Sequence, residues 1–368
     1  MKKTICLNMI VKNESKVIVR CLQSLKDLID YWVIVDTGSS DGTQQLILEV
    51  MEGYPGELYQ SSWVNFSWNR NEALSYSKGK GDYLLFIDAD EMFHYSVSFQ
   101  WPDLVCDLYF MKVRYQIGSE FSRVVLVNNH LDWKWKGVIH EEIRSSQAKG
   151  GGMLTNIVTI TTLDGEPTQQ QLIEKNWKDI QILEKAIINE PDNSRYIFHL
   201  AMTYEIVEDY SKAIEFFEKR LLMAGSLNDG QIFYSLFRIA RIQEKLKKNS
   251  IIFIETYQKA YSSRPTRAEP LYHLANHYLE VDQPLKAYCH AKTGLTIPIP
   301  KNDPILVDIP IYNVYLDLVL IESARRLNNW EVALHSCLKL LSQSQLNEEQ
   351  RVWVYKKMTF IKQSKSRT

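Results

Sequence analysis

The chain has 368 residues, of which 45% are apolar, and its formal net charge at pH 7 is −1. This length and apolar content can bury two hydrophobic cores, so we expect two domains. The lysines and arginines are scattered without a dense basic block, which gives no electrostatic basis for nucleic-acid binding. No apolar run approaches the roughly 18 residues of a membrane span, so no transmembrane helix is predicted.

The five cysteines are dispersed and form no C-x-x-C pair. Such cysteines are typical of reduced core residues in a cytoplasmic protein. No secretion signal is visible, because the apolar run from Ile5 to Val11 is short and contains Asn8. We therefore expect a cytoplasmic location.

The first predicted element is a strand over 4–11, followed by the polar segment 12–15. A helical pattern then runs through Val17, Val19, Leu22 and Leu25. This order is typical of a strand, turn and helix in an α/β domain.

A second predicted strand covers 32–35 and ends at Asp36. The loop after it leads into a helix that contains Leu46, Ile47 and Val50. Asp41 or Thr43 is the expected N-cap of that helix.

A third strand, YLLFI, ends at Asp88, Ala89 and Asp90. Successive side chains of a strand point to opposite faces, so we expect Asp88 and Asp90 to share one face, with the small Ala89 between them. Paired carboxylates of this kind suit Mg²⁺ or Mn²⁺, which would in turn bind a diphosphate. A pair of aspartates at a strand end is also typical of a solvated turn or a helix cap.

The three predicted strands thus end in Asn13 and Glu14, in Asp36, and in the Asp-Ala-Asp motif. In a parallel α/β sheet the carboxyl ends of the strands border the ligand crevice, so all three clusters should face one cleft. The glycines fit neither the dinucleotide-binding nor the phosphate-loop pattern.

Five motifs in this order resemble the inverting glycosyltransferases of family 2, which have the nucleotide-sugar-binding GT-A fold. They are IVKNES (10–15), VDTGSSDGT (35–43), FSWNRNEAL (66–74), GDYLLFIDADE (81–91) and KGVIHEE (136–142). The resemblance covers about the first 145 residues.

The resemblance implies a role for each motif. The segment Ile10, Lys12, Asn13 and Glu14, together with Asp36, would hold the uracil and ribose of a uridine-diphosphate sugar. Asp88 and Ala89 would lie near the ribose, and Asp90 would bind the metal. Arg70 is a candidate contact of the diphosphate or of the acidic motif, although it could also be an ordinary surface arginine.

The pair His140 and Glu141 offers two further chemical roles. An imidazole nitrogen is a good ligand for Mn²⁺, and a carboxylate can take a proton from an incoming nucleophile. The resemblance implies that His140 is a metal or diphosphate ligand and that Glu141 is the base or a substrate anchor. A histidine here could equally be a hydrogen-bonded structural residue.

Strand-like patterns continue over 108–117, 124–127 and 157–163, with a flexible break expected at 150–152. From about Gln170 the pattern becomes helical. We therefore predict an α/β domain over 1–168 with a mostly parallel sheet, followed by an all-α domain over 169–368.

The helical segment fits a degenerate tetratricopeptide-like repeat. The pairs of a large and a small residue at 200–201, 239–240 and 274–275 are 39 and 35 residues apart, near the roughly 34 residues of that repeat. A fourth copy is expected around Asn329, Trp330 and Ala333. Stacked helical pairs of this kind form a solenoid.

The combined prediction is a metal-dependent inverting glycosyltransferase that uses Mg²⁺ or Mn²⁺ and a nucleotide-sugar donor, with repeats that select a peptide or protein acceptor. The arrangement resembles bacterial enzymes that glycosylate bacteriocin peptides on cysteine or serine. Two alternatives are a cell-envelope saccharide transferase and a non-catalytic adaptor with a relict transferase domain. The repeats could also form a homodimer.

Overall fold

The computed structural model describes residues 2–115, 120–161, 169–223, 230–300, 303, 305–343 and 346–365. The chain forms two compact units, the first made of Met1–Lys212 and Asn302–Pro304 and the second of Ala213–Lys301 and Ile305–Thr368. The predicted domain boundary at 168 falls outside the described residues and stays a prediction.

The first unit contains a large sheet, a small two-stranded ribbon and the helices that flank them. Its strands are β1 (Ile5–Val11), β2 (Tyr31–Asp36), β3 (Gly56–Gln60), β4 (Tyr83–Leu85), β5 (Glu91–Tyr95), β6 (Leu108–Tyr115), β7 (Glu120–Asn128), β8 (Lys134–Lys136), β9 (Glu142–Arg144) and β10 (Gly151–Thr161). Its helices are α1 (Ile18–Gln23), α2 (Thr43–Val50), α3 (Phe66–Tyr76), α4 (Gln169–Asn189) and α5 (Ser194–Ile206), with a 3-10 turn at Lys26–Leu28.

The large sheet has the strand order β3-β2-β1-β4-β7-β6-β10-β5. The pairs β3/β2, β2/β1, β1/β4 and β6/β10 are parallel, and the pairs β4/β7, β7/β6 and β10/β5 are antiparallel. The three strands predicted to carry the polar clusters are therefore adjacent and parallel. Their carboxyl ends meet at one edge of the sheet, as expected for a ligand-binding α/β domain.

The core of this unit explains why the central strands form where the sequence predicts them. Every residue of β1 except Ile10 is buried, and apolar side chains cover both faces of the strand in two hydrophobic clusters. A strand with both faces buried reads as a continuous apolar run, which is the pattern of residues 5–11.

The structure corrects the predicted strand geometry at the acidic motif. Strand β4 ends at Leu85, and Ala89 and Asp90 lie in a turn that is closed by a hydrogen bond from the Glu91 amide to the Asp88 carbonyl, at 3.1 Å. The alternation argument for Asp88 and Asp90 therefore does not apply, because a turn rather than a strand carries them.

Two smaller predictions also differ from the structure. Gly42, in the left-handed region at φ 89°, occupies the N-cap position expected for Asp41 or Thr43. The flexible break expected at 150–152 is absent, because Gly151 and Gly152 lie in β10. A Cβ at Gly151 would lie 2.7 Å from the Leu108 side chain, so glycine lets the strands approach.

The second unit is made of helices. Helix α6 (Tyr210–Leu222) begins in the last residues of the first unit, and the others are α7 (Gly230–Lys245), α8 (Ser250–Ser263), α9 (Glu269–Glu280), α10 (Pro284–Leu295), α11 (Leu316–Arg326), α12 (Trp330–Leu341) and α13 (Glu348–Lys365), with a π-helical turn at Ile311–Tyr315. Helix α7 packs on α8, α9 on α10, and α11 on α12. The small repeat positions Ala240, Ala275 and Ala333 are fully buried, which confirms the predicted repeat.

Four helices end in the same way. Two residues beyond the ends of α5, α7, α9 and α11 lies a residue with left-handed backbone: Glu208 (φ 62°), Lys247 (φ 51°), Asp282 (φ 53°) and Asn328 (φ 55°). In each case the next amide donates to the carbonyl five residues earlier, as Lys248 does to Gln243 at 3.0 Å. This is the Schellman ending of a helix, and its recurrence marks the repeat more clearly than the side chains do.

The outer ends of two predicted strands, 116–117 and 162–163, lie outside the described residues. Within the described part of the chain, none of the helices combines the length and hydropathy needed to span a membrane.

Candidate active site

The loops that follow β1 and β2 are joined by hydrogen bonds. The Asn13 amide donates to Ser39 Oγ at 2.8 Å, and the Ser40 amide donates to Asn13 Oδ1 at 2.9 Å. Asn13 has a left-handed backbone, with φ 57°, which asparagine tolerates better than most residues. The Glu14 amide donates to Thr43 Oγ1 at 2.8 Å. These contacts fix the first two motifs against each other.

Asp36 lies at the end of β2 and is fully buried. Its Oδ1 accepts from the Gly38 and Ser39 amides, at 2.9 and 2.8 Å, and from Gln44 Nε2 at 3.0 Å. Its Oδ2 is buried and has no hydrogen-bond partner among the described residues. A buried carboxylate oxygen without a donor is costly, so it provides an acceptor for a ligand N–H or O–H group.

Two arginines hold the acidic motif. Arg70, on α3, donates from Nη2 to Asp88 Oδ1 at 2.7 Å, and Arg123, on β7, donates from Nη1 to Asp88 Oδ2 at 3.2 Å. Arg123 also contacts Glu91. Although burial opposes ionisation of Asp88, the two guanidinium groups hold its pKa well below the usual range.

Asp90 and Glu14 lie in an electronegative region. The Asp90 side chain is exposed, but partial desolvation and the neighbouring Asp88 charge raise its pKa. Desolvation, followed by the charges of Asp90, Asp41 and Asp88, raises the pKa of Glu14 to about 7. Carboxylates that repel one another in this way favour the binding of a cation.

His140 and Glu141 lie in the loop of the β8/β9 hairpin. The loop turns tightly, since Gly137 has φ 116° and His140 has φ 51°. A Cβ at Gly137 would lie 3.3 Å from Glu141 Cα, so a side chain there would crowd the loop. The turn directs the Glu141 side chain to Arg70.

Arg70 connects this loop to the acidic motif. Its Nε donates to Glu141 Oε1 at 2.5 Å while its Nη2 contacts Asp88. The guanidinium lies 4.9 Å from the Trp135 ring centroid, and the Arg70 side chain is only 11% exposed. The structure therefore brings together three predicted site residues that are far apart in sequence, and Arg70 is not an ordinary surface arginine.

The other predicted residues are distributed around this cluster. Ile10 is half-buried in β1 opposite Val35, Lys12 is exposed, and Ala89 is buried. His140 stacks on His199 of α5, with ring centroids 4.3 Å apart. Desolvation by the surrounding groups lowers the pKa of His140, which disfavours its protonated form.

Sequence reasoning missed Arg123, Arg195 and His199. The charged Arg123 interrupts an otherwise apolar strand, which is a weak signal of a paired charge. Arg195 and His199 gave no signal, because their positions fall in the segment that the sequence predicts to be the first repeat. Their contact with the hairpin is a tertiary feature that periodicity does not encode.

The carboxylates around Asp90 are compatible with one way of binding a divalent cation and not with another. Among the described residues, no group of three or more His, Cys, Asp or Glu side chains is placed to hold a metal ion. A protein-only metal cage is therefore not formed there. The exposed Asp90 carboxylate in its electronegative region suits the other common arrangement, in which Mg²⁺ takes one or two carboxylates and completes its shell with substrate phosphates and water.

Residues 6–98 match the family model described as Glycosyl transferase family 2. Over these residues the chain is similar to that family. Four of the five motifs lie within the matched residues, and only KGVIHEE lies outside them. The match agrees with the predicted family over residues 6–98.

Two curated relatives match the chain over different lengths. Over 244 residues the chain is 25% identical to the SPbeta prophage-derived glycosyltransferase SunS of Bacillus subtilis, and the alignment covers 62% of this chain and 56% of that protein. The chain thus spans little more than half the length of this relative. Over 88 residues it is 38% identical to a TPR repeat-containing protein of Synechococcus elongatus, covering 24% of this chain and 20% of that protein.

Solved structures also resemble the chain. The C-terminal part of a TPR repeat-containing protein from Cytophaga hutchinsonii matches 50% of this chain and 67% of its own, with 15% identity and a TM-score of 0.40.

Proposed function

We propose that the protein is a metal-dependent inverting glycosyltransferase that moves a hexose from a UDP-sugar to a peptide or protein side chain. The observation that carries this proposal is the Arg70 bridge between Asp88 and Glu141, at the strand edge of a glycosyl transferase family 2 domain. The name of the relative SunS, a glycosyltransferase, supports the reaction class.

The donor-binding proposal rests on the ends of β1 and β2. Asp36 Oδ2 is the acceptor for an N–H of the base or a ribose hydroxyl, because it is buried and lacks a donor within the described residues. The adjoining segment of Ile10, Lys12, Asn13 and Glu14 borders the same site. The hydrogen bonds from Asn13 and Glu14 to the β2 loop support this, since they preorganise both segments before the donor binds.

The diphosphate would lie beside the acidic motif, where Asp90 and His140 would hold Mg²⁺ or Mn²⁺. A bound divalent cation would neutralise charge that develops on the departing diphosphate. Arg70 and Arg123 fix Asp88 for its contact with the ribose. The buried Ala89 places only a methyl group between the two aspartates.

Glu141 is proposed as the base. An inverting transfer is a single in-line displacement, so one base and one stabilised leaving group suffice, without a second carboxylate for a covalent intermediate. Arg70 fixes the position of the Glu141 carboxylate through the contact between Arg70 Nε and Glu141 Oε1. The Glu141 side chain is only 10% exposed, so solvent access to the base is limited.

The acceptor proposal rests on the helical unit. Between α8, α9 and α10 lies a cavity of about 390 Å³, lined by apolar residues such as Ile251, Ile254 and Val281 and by the charged Glu255 and Lys286. A mixed apolar and charged lining suits a peptide segment. Binding energy from such a remote contact can position a nucleophile for reaction.

The first experiment is a screen of UDP- and GDP-sugars with the full-length protein, with Mg²⁺, Mn²⁺ or EDTA. We expect cation-dependent binding and slow hydrolysis of at least one UDP-sugar. The donor that is hydrolysed is then offered with cysteine- and serine-containing peptides, and product analysis should show inversion at the anomeric carbon. Retention, or no turnover of any nucleotide sugar, would contradict the proposal.

The acceptor role is tested in the same assay with Ile251→Glu and Val281→Glu. Both residues are exposed and line the cavity, so we expect peptide transfer to fall while donor hydrolysis is unchanged. Leu338→Glu, at a similarly exposed position on α12, is the matched control. Equal losses in both activities would show that the cavity does not select the acceptor.

A further inference from the structure

We propose that Arg195 and His199, on α5, are positioning residues that hold the His140 loop so that Glu141 is presented to the reaction. This inference rests on the proposed function, in which Glu141 is the base. It assigns a role in the transferase site to a helix whose sequence reads as part of the repeat.

The loop needs an external support. His140 has a left-handed backbone at φ 51°, a conformation that costs a non-glycine residue on the order of 1 kcal/mol or more. Gly137 is left-handed as well, and the hairpin that closes the loop has only three residues in each strand. A short hairpin supplies little stability of its own, so contacts from elsewhere must maintain this conformation.

Arg195 supplies the first contact. Its Nε and Nη2 both donate to the His140 carbonyl oxygen, at 3.2 and 2.5 Å. Its Nη1 also lies 3.8 Å from Glu142 Oε2, just beyond the loop. One side chain therefore holds the backbone at the strained residue and the start of β9, and its planar fork fixes the orientation as well as the distance.

His199 supplies the second contact. Its ring stacks on the His140 ring, with centroids 4.3 Å apart and planes 19° apart. His199 lies one helical turn beyond Arg195, so both side chains leave the same face of α5. The two contacts thus act on the backbone and the side chain of the same residue.

A change in the backbone at His140 would also change the position of the proposed base, because the two residues are adjacent. Glu141 follows His140, and its carboxylate accepts from Arg70, which in turn contacts Asp88. If the His140 loop relaxed, the Glu141 carboxylate would move relative to the donor. A displacement of about 1 Å at a reacting group can cost roughly 100-fold in rate.

The first test needs no substrate. Hydrogen exchange is measured on the full-length protein and on Arg195→Ala and His199→Ala, with His130→Ala as a control because His130 is exposed outside the site. We expect faster exchange in 138–142 in the two α5 variants and no change there in the control. Unchanged exchange in both α5 variants would overturn the positioning role, whether or not the protein proves to be a transferase.

The second test separates positioning from binding. With the UDP-sugar that the wild-type protein hydrolyses, we expect Arg195→Ala and His199→Ala to lower kcat about 10- to 100-fold while KM for the donor changes little. Arg195→Lys should restore part of the rate. His199→Phe should restore most of it, because a phenyl ring retains the stacking surface.

The two tests fail in different ways. A raised KM with unchanged kcat would make these residues donor contacts and overturn positioning. A His199→Phe variant as slow as His199→Ala, with loop exchange restored to the wild-type rate, would also overturn it, since the imidazole itself would then be needed. If the wild-type protein hydrolyses no nucleotide sugar, the proposed function fails, and hydrogen exchange alone decides whether α5 holds the loop.

Discussion

The Arg70 guanidinium donates to Glu141 at 2.5 Å although the two residues are 71 positions apart in the sequence. Arg70 lies on α3 and Glu141 in the hairpin loop, so the contact ties two separate elements of the first unit together. The same guanidinium reaches Asp88 at 2.7 Å. One side chain thus sets the relative positions of the proposed base and the acidic motif.

Arg70→Lys should lower kcat for donor hydrolysis by about 10- to 100-fold. A lysine keeps the charge but has no planar fork, so it cannot bridge two carboxylates with the same geometry. Steady-state kinetics on the UDP-sugar found in the screen measures the effect. Arg144→Lys is the control, because Arg144 is 65% exposed and forms an ion pair with Glu142.

Asp90→Asn and Asp90→Ala should abolish turnover and leave the fold intact. The carboxylate is exposed, so its replacement creates no cavity, whereas loss of cation binding removes several kcal/mol of charge stabilisation. Each 1.36 kcal/mol is tenfold, so we expect a rate loss of about 100-fold or more. Calorimetric titration with Mn²⁺ and donor checks the cause. Wild-type turnover by folded Asp90→Ala would exclude the metal assignment. Asp132→Asn is the control, because the Asp132 side chain is 80% exposed.

Glu141→Gln should reduce transfer much more than donor binding. The amide keeps the shape of the side chain but cannot take a proton, so a base is lost while the ground state is preserved. Transfer rates and donor affinity are measured on the same preparation. A parallel loss of both would instead identify Glu141 as an anchor for the substrate.

Much of the fold could be predicted because it depends on local patterns. The buried strands β1 and β2 are continuous apolar runs, and the repeat follows from small residues at fixed spacing. The turn at Asp88 could not be predicted, since the apolar run through Ile87 reads as strand. The strand ends early, and the Glu91 side chain stabilises the turn that follows by accepting a hydrogen bond from the Asp88 amide at 3.0 Å.

The candidate site was predictable only in part. Asp36, Asp88 and Glu141 belong to sequence motifs. The rule that parallel strand ends share an edge groups Asp36 with Asp88, but it does not apply to Glu141, which lies in the antiparallel β8/β9 hairpin. Arg123, Arg195 and His199 could not be identified, because each acts through a contact with a residue distant in sequence. The sequence shows these side chains but does not show which residues they contact in the fold.

Glu322→Gln should destabilise the helical unit at pH 7 by on the order of 2 kcal/mol. Burial disfavours the charged carboxylate and raises the pKa of Glu322, but hydrogen bonds from Arg325, Lys357 and Arg326 outweigh this effect and lower the pKa to about 2. A carboxyl whose pKa is depressed in the folded state stabilises the protein above its unfolded pKa, near 4.3. The contribution is then lost as pH falls through about 2.

Denaturant titrations at pH 7, 4.5 and 3 measure this difference. The gap between wild type and Glu322→Gln should be largest at pH 7 and smaller at pH 3. Glu331→Gln is the control, because Glu331 is 85% exposed and lies 3.5 Å from Lys365. A gap that does not change with pH would show that the ion pairs are not its source.

Lys247→Gly should stabilise the protein by about 0.5 to 1 kcal/mol. Lys247 has φ 51° at the Schellman ending of α7, where glycine has no steric penalty. Lys259→Gly, at an exposed position inside α8, should destabilise by about 1 kcal/mol. Thermal melts of the two variants should therefore shift in opposite directions, and a shared downward shift would contradict the backbone argument.

Because Met1–Lys212 belongs to one compact unit, the position of the junction matters in any hybrid of this chain with a relative. An exchange of transferase halves joined at residue 168 would separate the hairpin loop from Arg195 and His199 and would pair it with a foreign helix. A junction after Lys212 would instead transplant the loop together with both of its supports. A hybrid protein should therefore take over the whole of Met1–Lys212, which is longer than the segment 6–98 that matches the family model. This unit includes helices α4 and α5, although their sequences resemble the start of the repeat.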